Sequence, residues 1–269
     1  MNDIVLDVRN LRVEFPTRKG ILTAVDDISL QIRRGEILGM VGESGAGKSM
    51  TGMAILGLLE LPGRIASGTI HLSGDRIDTL DDHAMQTIRG RRIGAIFQDP
   101  LTSLNPLFKV GDQLVETIRL HSSLDKSQAR ERAKDLMREV GIPAIAQYAN
   151  TRADQLSGGE RQRVGVVRAL MQDPEILLAD EPTASLDPKT SEQIMGLLRD
   201  LAGELKLPVL INIHNVTEAK EYTDRIVGMR YGRIIFDDKP GMLDQAAMDE
   251  IYAGSPHADR SNDAAAATS

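Results

Sequence analysis

The chain has 269 residues, 41% apolar and 26% charged, with a net charge of −7; this is an ordinary globular balance with room for a substantial core. It has no cysteine, which excludes disulfides, thiolate metal sites and a cysteine nucleophile, and its acidic balance gives no overall positive field for nucleic acid. The first ten residues, MNDIVLDVRN, lack the basic start and apolar core of a signal peptide, and no apolar run approaches the roughly 18 residues of a membrane span, so the expectation is a soluble, intracellular protein that works at a membrane only by docking on a partner.

Residues 4–15 read as a strand, with Val8, Leu11, Val13 and Phe15 in place; 17–20 is a turn, and 24–32 is a second strand closed by Arg33-Arg34-Gly35. Phe15 has two readings: a strand-end aromatic that stacks on an adenine ring, or a core or edge aromatic. Residues 36–41 form a short apolar segment that suits a buried strand. It runs into Gly42-Glu43-Ser44-Gly45-Ala46-Gly47-Lys48-Ser49, which fits G-x-x-x-x-G-K-[ST], the phosphate-binding P-loop. Residues 50–59 then carry Met50, Met53, Ala54 and Leu58 at helical spacing. Strand, glycine loop and helix form the context the motif requires. The glycines let successive N–H groups face a polyphosphate, and the helix dipole aims at the same point. Lys48 reaches the β- and γ-phosphates in this reading, and the Ser49 hydroxyl ligates Mg²⁺.

Pro62-Gly63 breaks the chain, 68–72 is a short strand, Ser73-Gly74 a turn and 81–88 a helical turn or two. Arg89-Gly90-Arg91-Arg92 is a basic run, read as a nucleic-acid contact or, in an acidic chain, as a solvated face. Residues 93–97 are a strand ending at Gln98-Asp99-Pro100. From there to about residue 153 the pattern is helical, with candidates at 110–120 and 126–140; the second carries Ala129, Ala133, Leu136, Met137 and Val140 on one stripe before Gly141 and Pro143 stop it. This stretch reads as a helical insertion into an α/β domain.

Leu156-Ser157-Gly158-Gly159-Glu160 opens a helix over 161–171. Ser157 as N-cap and Glu160 three residues on make a capping-box pattern, and the turn is a second glycine-rich helix start. Residues 176–179 are a buried strand ending in Asp180-Glu181, carboxylates where α/β sheets place ligands. Asp180 suits Mg²⁺ as a hard oxygen ligand, and Glu181 is then free to orient or deprotonate a water; the plain alternative is an acidic turn. Ser185-Leu186-Asp187-Pro188 starts a helix over 190–205, and 209–213 is an apolar strand ending at His214-Asn215. That strand is expected beside the P-loop strand, which would bring His214 near a γ-phosphate. His71, His83, His121 and His257 are assigned to the surface. Residues 225–231 and 233–236 form a hairpin around Gly232, 248–252 a last short helix, and 261–269 a disordered tail.

The set of motifs, in this order, resembles the ATP-binding subunit of ABC transporters over nearly the whole chain. Residues 42–49 are similar to Walker A, and 176–181 to Walker B with its catalytic glutamate. Residues 156–160 are similar to the LSGGQ signature with Glu in the last place, Gln98 to the Q-loop glutamine, 185–187 to the D-loop and His214 to the switch histidine. The resemblance implies a P-loop NTPase of ABC ATPase type: a RecA-like α/β core with an antiparallel β subdomain (1–99 and 154–260) and an inserted helical subdomain (100–153), one domain over 1–260. It implies ATP and Mg²⁺ as cofactors. Gly42, Glu43, Ser44, Gly45, Ala46, Gly47, Lys48, Ser49, Met50 and Phe15 would bind the nucleotide, Ser49, Gln98 and Asp180 the metal, and Glu181, Gln98 and His214 would serve catalysis. Leu156, Ser157, Gly158, Gly159, Glu160 and Asp187 would serve the nucleotide of a second ATPase subunit, identical or paralogous, in a sandwich dimer.

The implied partners are two membrane permeases and, indirectly, a solute-binding protein, on the cytoplasmic face of the inner membrane. Within the family, Gly42-Glu43-Ser44, the 89–97 run and the stretch from Gln98 to Pro106 are similar to the dipeptide, oligopeptide and nickel importers. The 225–237 tail is similar to the phosphonate-importer branch. Ile213 and Asn215 stand where Thr and Asp are common. Two rival readings differ in class. A soluble ABC ATPase acting on nucleic acid or ribosomes would carry two cassettes or a long coiled-coil insertion; a non-hydrolysing regulatory module would not keep Lys48, Glu181 and His214 together.

Overall fold

Three parallel strands that end side by side position the chemistry of this chain. The computed structural model describes residues 3–98, 104–142 and 145–253. One sheet has the order β10-β9-β3-β8-β7-β6. Its strands β3 (Ile37–Val41), β6 (Ile93–Ile96), β7 (Ile176–Asp180), β8 (Val209–Asn212) and β9 (Arg225–Arg230) run parallel, and β10 (Arg233–Asp238) closes one edge antiparallel to β9. Every residue of β3 and β8 is buried, as expected for parallel strands covered on both faces. β8 lies between β3 and β7, with Met40 opposite Asn212 and Asp180 opposite Asn212. The P-loop, His214 and the Asp180-Glu181 pair therefore leave the sheet at one edge.

The second sheet is antiparallel, order β2-β1-β4-β5. β1 (Ile4–Thr17) and β2 (Gly20–Arg33) join through the predicted turn, with Thr17 paired to Gly20. β4 (Arg64–Leu72) starts four residues earlier than its expected start at 68, because the pairing with β1 shifts register between Arg9 and Arg12 and carries the strand past Gly68. β5 (Asp75–Arg76) completes the sheet. Alternation along β1 buries Leu6, Val8, Leu11 and Val13. They pack with Ile55 of α1 (Lys48–Leu56) and with Leu38 and Met40 into one core between the sheets. α1 begins at Lys48 and ends at Leu56, against an expected span of 50–59; Leu58 is exposed.

The other face of the six-stranded sheet carries α6 (Gly158–Leu170), α7 (Pro188–Leu205), α8 (Val216–Tyr222) and α9 (Gln245–Ile251). Between β6 and α6 the chain forms the two expected helices, α3 (Val110–His121) and α4 (Lys126–Glu139), and a short α5 (Ile145–Asn150) that the sequence pattern did not reveal. α4 buries the predicted stripe, Ala129, Ala133, Leu136 and Met137, and starts in a capping box in which Asp125 accepts from Gln128 N at 2.9 Å. Asp81 likewise caps α2 (Asp82–Ile88).

Two surface assignments change. Arg89 and Arg92 are neither a solvated face nor a free basic patch: Arg89 pairs with Asp82, and Arg92 with Glu175 and Asp75. His71 is half-buried within β4, its Nδ1 enclosed without a hydrogen-bond partner, whereas His83 is exposed as expected. Asp99, Pro100, Ser103, Pro143, His257 and the 261–269 tail lie outside the described residues, as does the His121 side chain.

Candidate functional site: a phosphate loop and strand-end carboxylates

The loop after β3 is shaped by close approach. Gly42 has φ 144°, and a Cβ there would stand 2.2 Å from the carbonyl oxygen of Met229 on β9, so only glycine lets the loop leave the sheet beside that strand. Ala46 N donates to Glu43 O at 3.1 Å, and Ala46 O accepts from Gly232 N at 3.0 Å, tying the loop to the β9–β10 turn. Lys48 is 4% exposed, and its Nζ donates to Gly42 O at 2.8 Å and Glu43 O at 2.9 Å. Burial holds its ammonium below the usual lysine range, against the opposing pull of Glu181 and Asp180. This is a caged cation inside a glycine turn at a helix start, the arrangement that receives a polyphosphate. Met50 on α1 faces the core between the sheets. Phe15 is half-buried at the far end of β1, with its ring edge against Gly63.

At the neighbouring strand ends, Asp180 Oδ1 accepts from Ser49 Oγ at 3.0 Å and from Asn212 Nδ2 at 2.7 Å. Asn212 is 4% exposed, and its own Oδ1 has no partner. The sequence reading missed this residue; its signal was one amide inside an otherwise apolar strand. The cleft that holds Ser49, Asp180 and Asn212 is also lined by Phe97, and the exposed Gln98 follows directly. Among the described residues no cluster of three or more His, Asp or Glu side chains is built to hold a metal. One hydroxyl beside one carboxylate suits a cation that takes its remaining ligands from water and phosphate, as Mg²⁺ does.

Glu181 leaves β7 in a left-handed conformation, φ 50°, with its N–H on Asn212 O at 3.1 Å. That turn brings its Oε1 to 2.5 Å from His214 Nε2. Glu181 is buried and His214 about half exposed, and both line a cavity of 250 Å³ with Thr183, Leu186 and Asn215. Asn215 caps α8 by accepting from Thr217 N at 2.9 Å, so the unusual residue after the histidine starts the next helix. The arrangement can hold a water against a carboxylate that is itself oriented by an imidazole.

The Leu156–Glu160 residues are positioned from elsewhere. Ser157 caps α6, accepting from Glu160 N at 3.3 Å, while Glu160 Oε2 accepts from Ser157 N at 2.7 Å. Leu156 is buried. A Cβ on Gly158 would stand 3.3 Å from Leu186 Cδ2, and one on Gly159 only 2.5 Å from Thr190 Cγ2. Asp187 caps α7 with both oxygens on Thr190, at 3.1 Å to N and 2.6 Å to Oγ1. This turn thus packs on the start of α7, its Ser157 is exposed, and none of its residues lines the cleft at Ser49.

A family model described as "ABC transporter" matches residues 25–184, more than half of the chain. The phosphonates import ATP-binding protein PhnC 1 of Ruegeria sp. is 51% identical over 261 residues, 95% of this chain and 97% of that protein. The oligopeptide transport ATP-binding protein OppD of Escherichia coli is 40% identical over 231 residues, 86% of this chain and 68% of that protein. A dimeric, post-hydrolysis structure of the ATP-binding cassette MJ0796 bound to ADP and Pi superposes with a TM-score of 0.77 at 29% identity, covering 87% of this chain and 98% of that one. With a P-loop, an Mg²⁺-suited Ser–Asp pair and an imidazole-oriented carboxylate at adjacent strand ends, the chain belongs to the ABC transporter family and is an ATP-binding cassette that binds ATP with Mg²⁺ and hydrolyses it.

Proposed function

We propose that this cassette is the ATPase of an importer, peripheral to the cytoplasmic face of the inner membrane, where it drives two permease subunits fed by a solute-binding protein. The observation that carries the site assignment is the contact between Glu181 Oε1 and His214 Nε2 at 2.5 Å, one strand away from the buried Lys48. Lys48 and backbone N–H groups of the loop bind the phosphates, and Phe15 meets the base. Ser49, Asp180 and Gln98 hold Mg²⁺, which when bound neutralises charge on the terminal phosphates. Glu181 accepts the proton of the attacking water, and His214 fixes the carboxylate's orientation and senses the γ-phosphate. Ser157, Gly158, Gly159 and Asp187 serve the nucleotide of a second copy; that none of them lines the Ser49 cleft within one chain supports a site completed across a seam. The 100–153 insertion and the segment after Gln98 meet the permeases.

For the cargo, the 51% identity to a phosphonates import protein over 95% of this chain supports a small organophosphorus anion. The 40% identity to an oligopeptide transport protein over 86% of the chain supports peptides as a second reading. The test of the machine is Glu181→Gln with the cognate permeases: ATP should bind, phosphate release should fall by about a hundredfold or more, and a closed dimer should accumulate. Phosphate release at the wild-type rate overturns Glu181 as the base. Uptake of labelled phosphonate and labelled dipeptide in a deletion strain separates the two cargoes.

A further inference from the structure

Where the signature resemblance has glutamine, this chain carries an acid, and the structure gives that acid a dedicated donor. Glu160 Oε1 accepts a short hydrogen bond from the hydroxyl of Tyr148, on α5 of the inserted helices. Oε2 accepts from Ser157 N at 2.7 Å. A second tie joins the same pieces, since Arg161 Nε donates to Ala153 O at 3.1 Å. Tyr148 and Glu160 are half-buried, whereas Ser157 is exposed. Burial and the facing carboxylate push the Tyr148 hydroxyl up to about 12, and the tyrosine's hydrogen bond holds Glu160 below the usual carboxylate range. At neutral pH the pair is therefore an anion and a neutral donor.

The acid has two effects of opposite sign. In the first turn of α6 it is favourable to the helix dipole. On a surface that receives phosphate it is a like charge, and unfavourable. Which effect prevails depends on where the carboxylate is held. With one oxygen on Tyr148 and the other on Ser157 N, the charge is fixed on the inner side of the turn. Ser157 Oγ accepts from Glu160 N, which leaves its own proton to donate outward. A glutamate released from Tyr148 keeps only its bond to Ser157 N, and the freed oxygen becomes an internal competitor for that proton.

We infer that Tyr148 is a positioning residue for the nucleotide seam: by pinning Glu160, it keeps the Ser157 turn open to the triphosphate held by a second copy of the chain. The inference rests on the seam described under Proposed function. It distinguishes Tyr148 from a tyrosine that only packs the insertion, because the harm done by removing its hydroxyl must then come from the charge on Glu160 and disappear with that charge.

The experiment uses the full chain in the Glu181→Gln background, with Mg-ATP, and reads dimer formation by sedimentation across protein concentration. Adding Tyr148→Phe should raise the dimer dissociation constant by about tenfold or more, the worth of the hydrogen bond to charged phosphate that the Ser157 hydroxyl would lose at the seam. The unfolding midpoint should fall by several degrees at most, because the lost hydrogen bond lies within one chain, and the affinity of the monomer for a fluorescent ATP analogue should not move. Adding Glu160→Gln to Tyr148→Phe should return the dimer constant to within about twofold of the parent. If the Glu181→Gln parent does not dimerise on Mg-ATP, the seam fails and this inference falls with it. If the parent dimerises but Tyr148→Phe is neutral, or its defect survives Glu160→Gln, the positioning role alone is overturned.

Discussion

Gly159→Ala offers a test in which the sign of the effect is set by one methyl group. The new Cβ would stand 2.5 Å from Thr190 Cγ2, while the next nearest atoms, Thr190 Cβ and Oγ1, are at 3.8 Å. The clashing atoms must part by about 1 Å to reach ordinary contact. Thr190 cannot turn its methyl away cheaply, because its Oγ1 is bonded to Asp187 Oδ2 at 2.6 Å in the cap of α7. Overpacking of this kind costs about 1–3 kcal/mol, against a gain of up to about 1 kcal/mol from alanine in a helix. A net loss of about 1 kcal/mol should lower the melting temperature by about 2–4 °C in a chain of this size. Thr190→Ser deletes the clashing methyl and keeps the hydroxyl for Asp187. In that background Gly159→Ala should become neutral or stabilising, and because the Cβ points at α7 and not outward, ATP hydrolysis should recover as well. Urea melts and phosphate release on the four proteins of this cycle provide the measurement. If Gly159→Ala is equally harmful with and without the Thr190 methyl, the packing argument for this glycine is wrong. If stability returns but hydrolysis does not, the turn must be bare at the seam itself.

Asn212→Leu removes a donor to an ionised carboxylate, a contact worth about 1.5–3 kcal/mol, so the Mg²⁺ concentration for half-maximal hydrolysis should rise by about tenfold. Binding of ATP in EDTA, which depends on Lys48 and the loop, should be unaltered; an unchanged Mg²⁺ profile would remove Asn212 from the site. Lys48 gives a pH prediction. Its folded-state value lies below the ordinary lysine value of 10.5, so between the two values the unfolded chain binds more protons and stability rises with pH. Without nucleotide, wild type should therefore gain on Lys48→Met in paired denaturation curves as the pH climbs towards 10.5. A difference that is flat with pH, or that moves the other way, would mean that the ammonium is not held at a cost.

What the sequence determined by itself was whatever depends on residues a few positions apart. Gly42 to Ser49 specify a phosphate loop because the backbone path and the helix start lie within eight residues. Ser157 and Glu160 specify a helix start because a capping box closes over three, and the α4 stripe is legible because its side chains repeat every turn. The order of these local devices also carried the family. Tertiary structure decided what they are used for. That Glu181 meets His214, and that Asn212 holds Asp180, follow from β8 running between β3 and β7, an adjacency between strands far apart in the chain. Residues with no local pattern, Tyr148 on a helix of six residues and Thr190 beneath Gly159, acquire their roles only from what packs against them. Such contacts span distances along the chain over which neither turn chemistry nor periodicity carries information, so they are settled when the two cores close and not before.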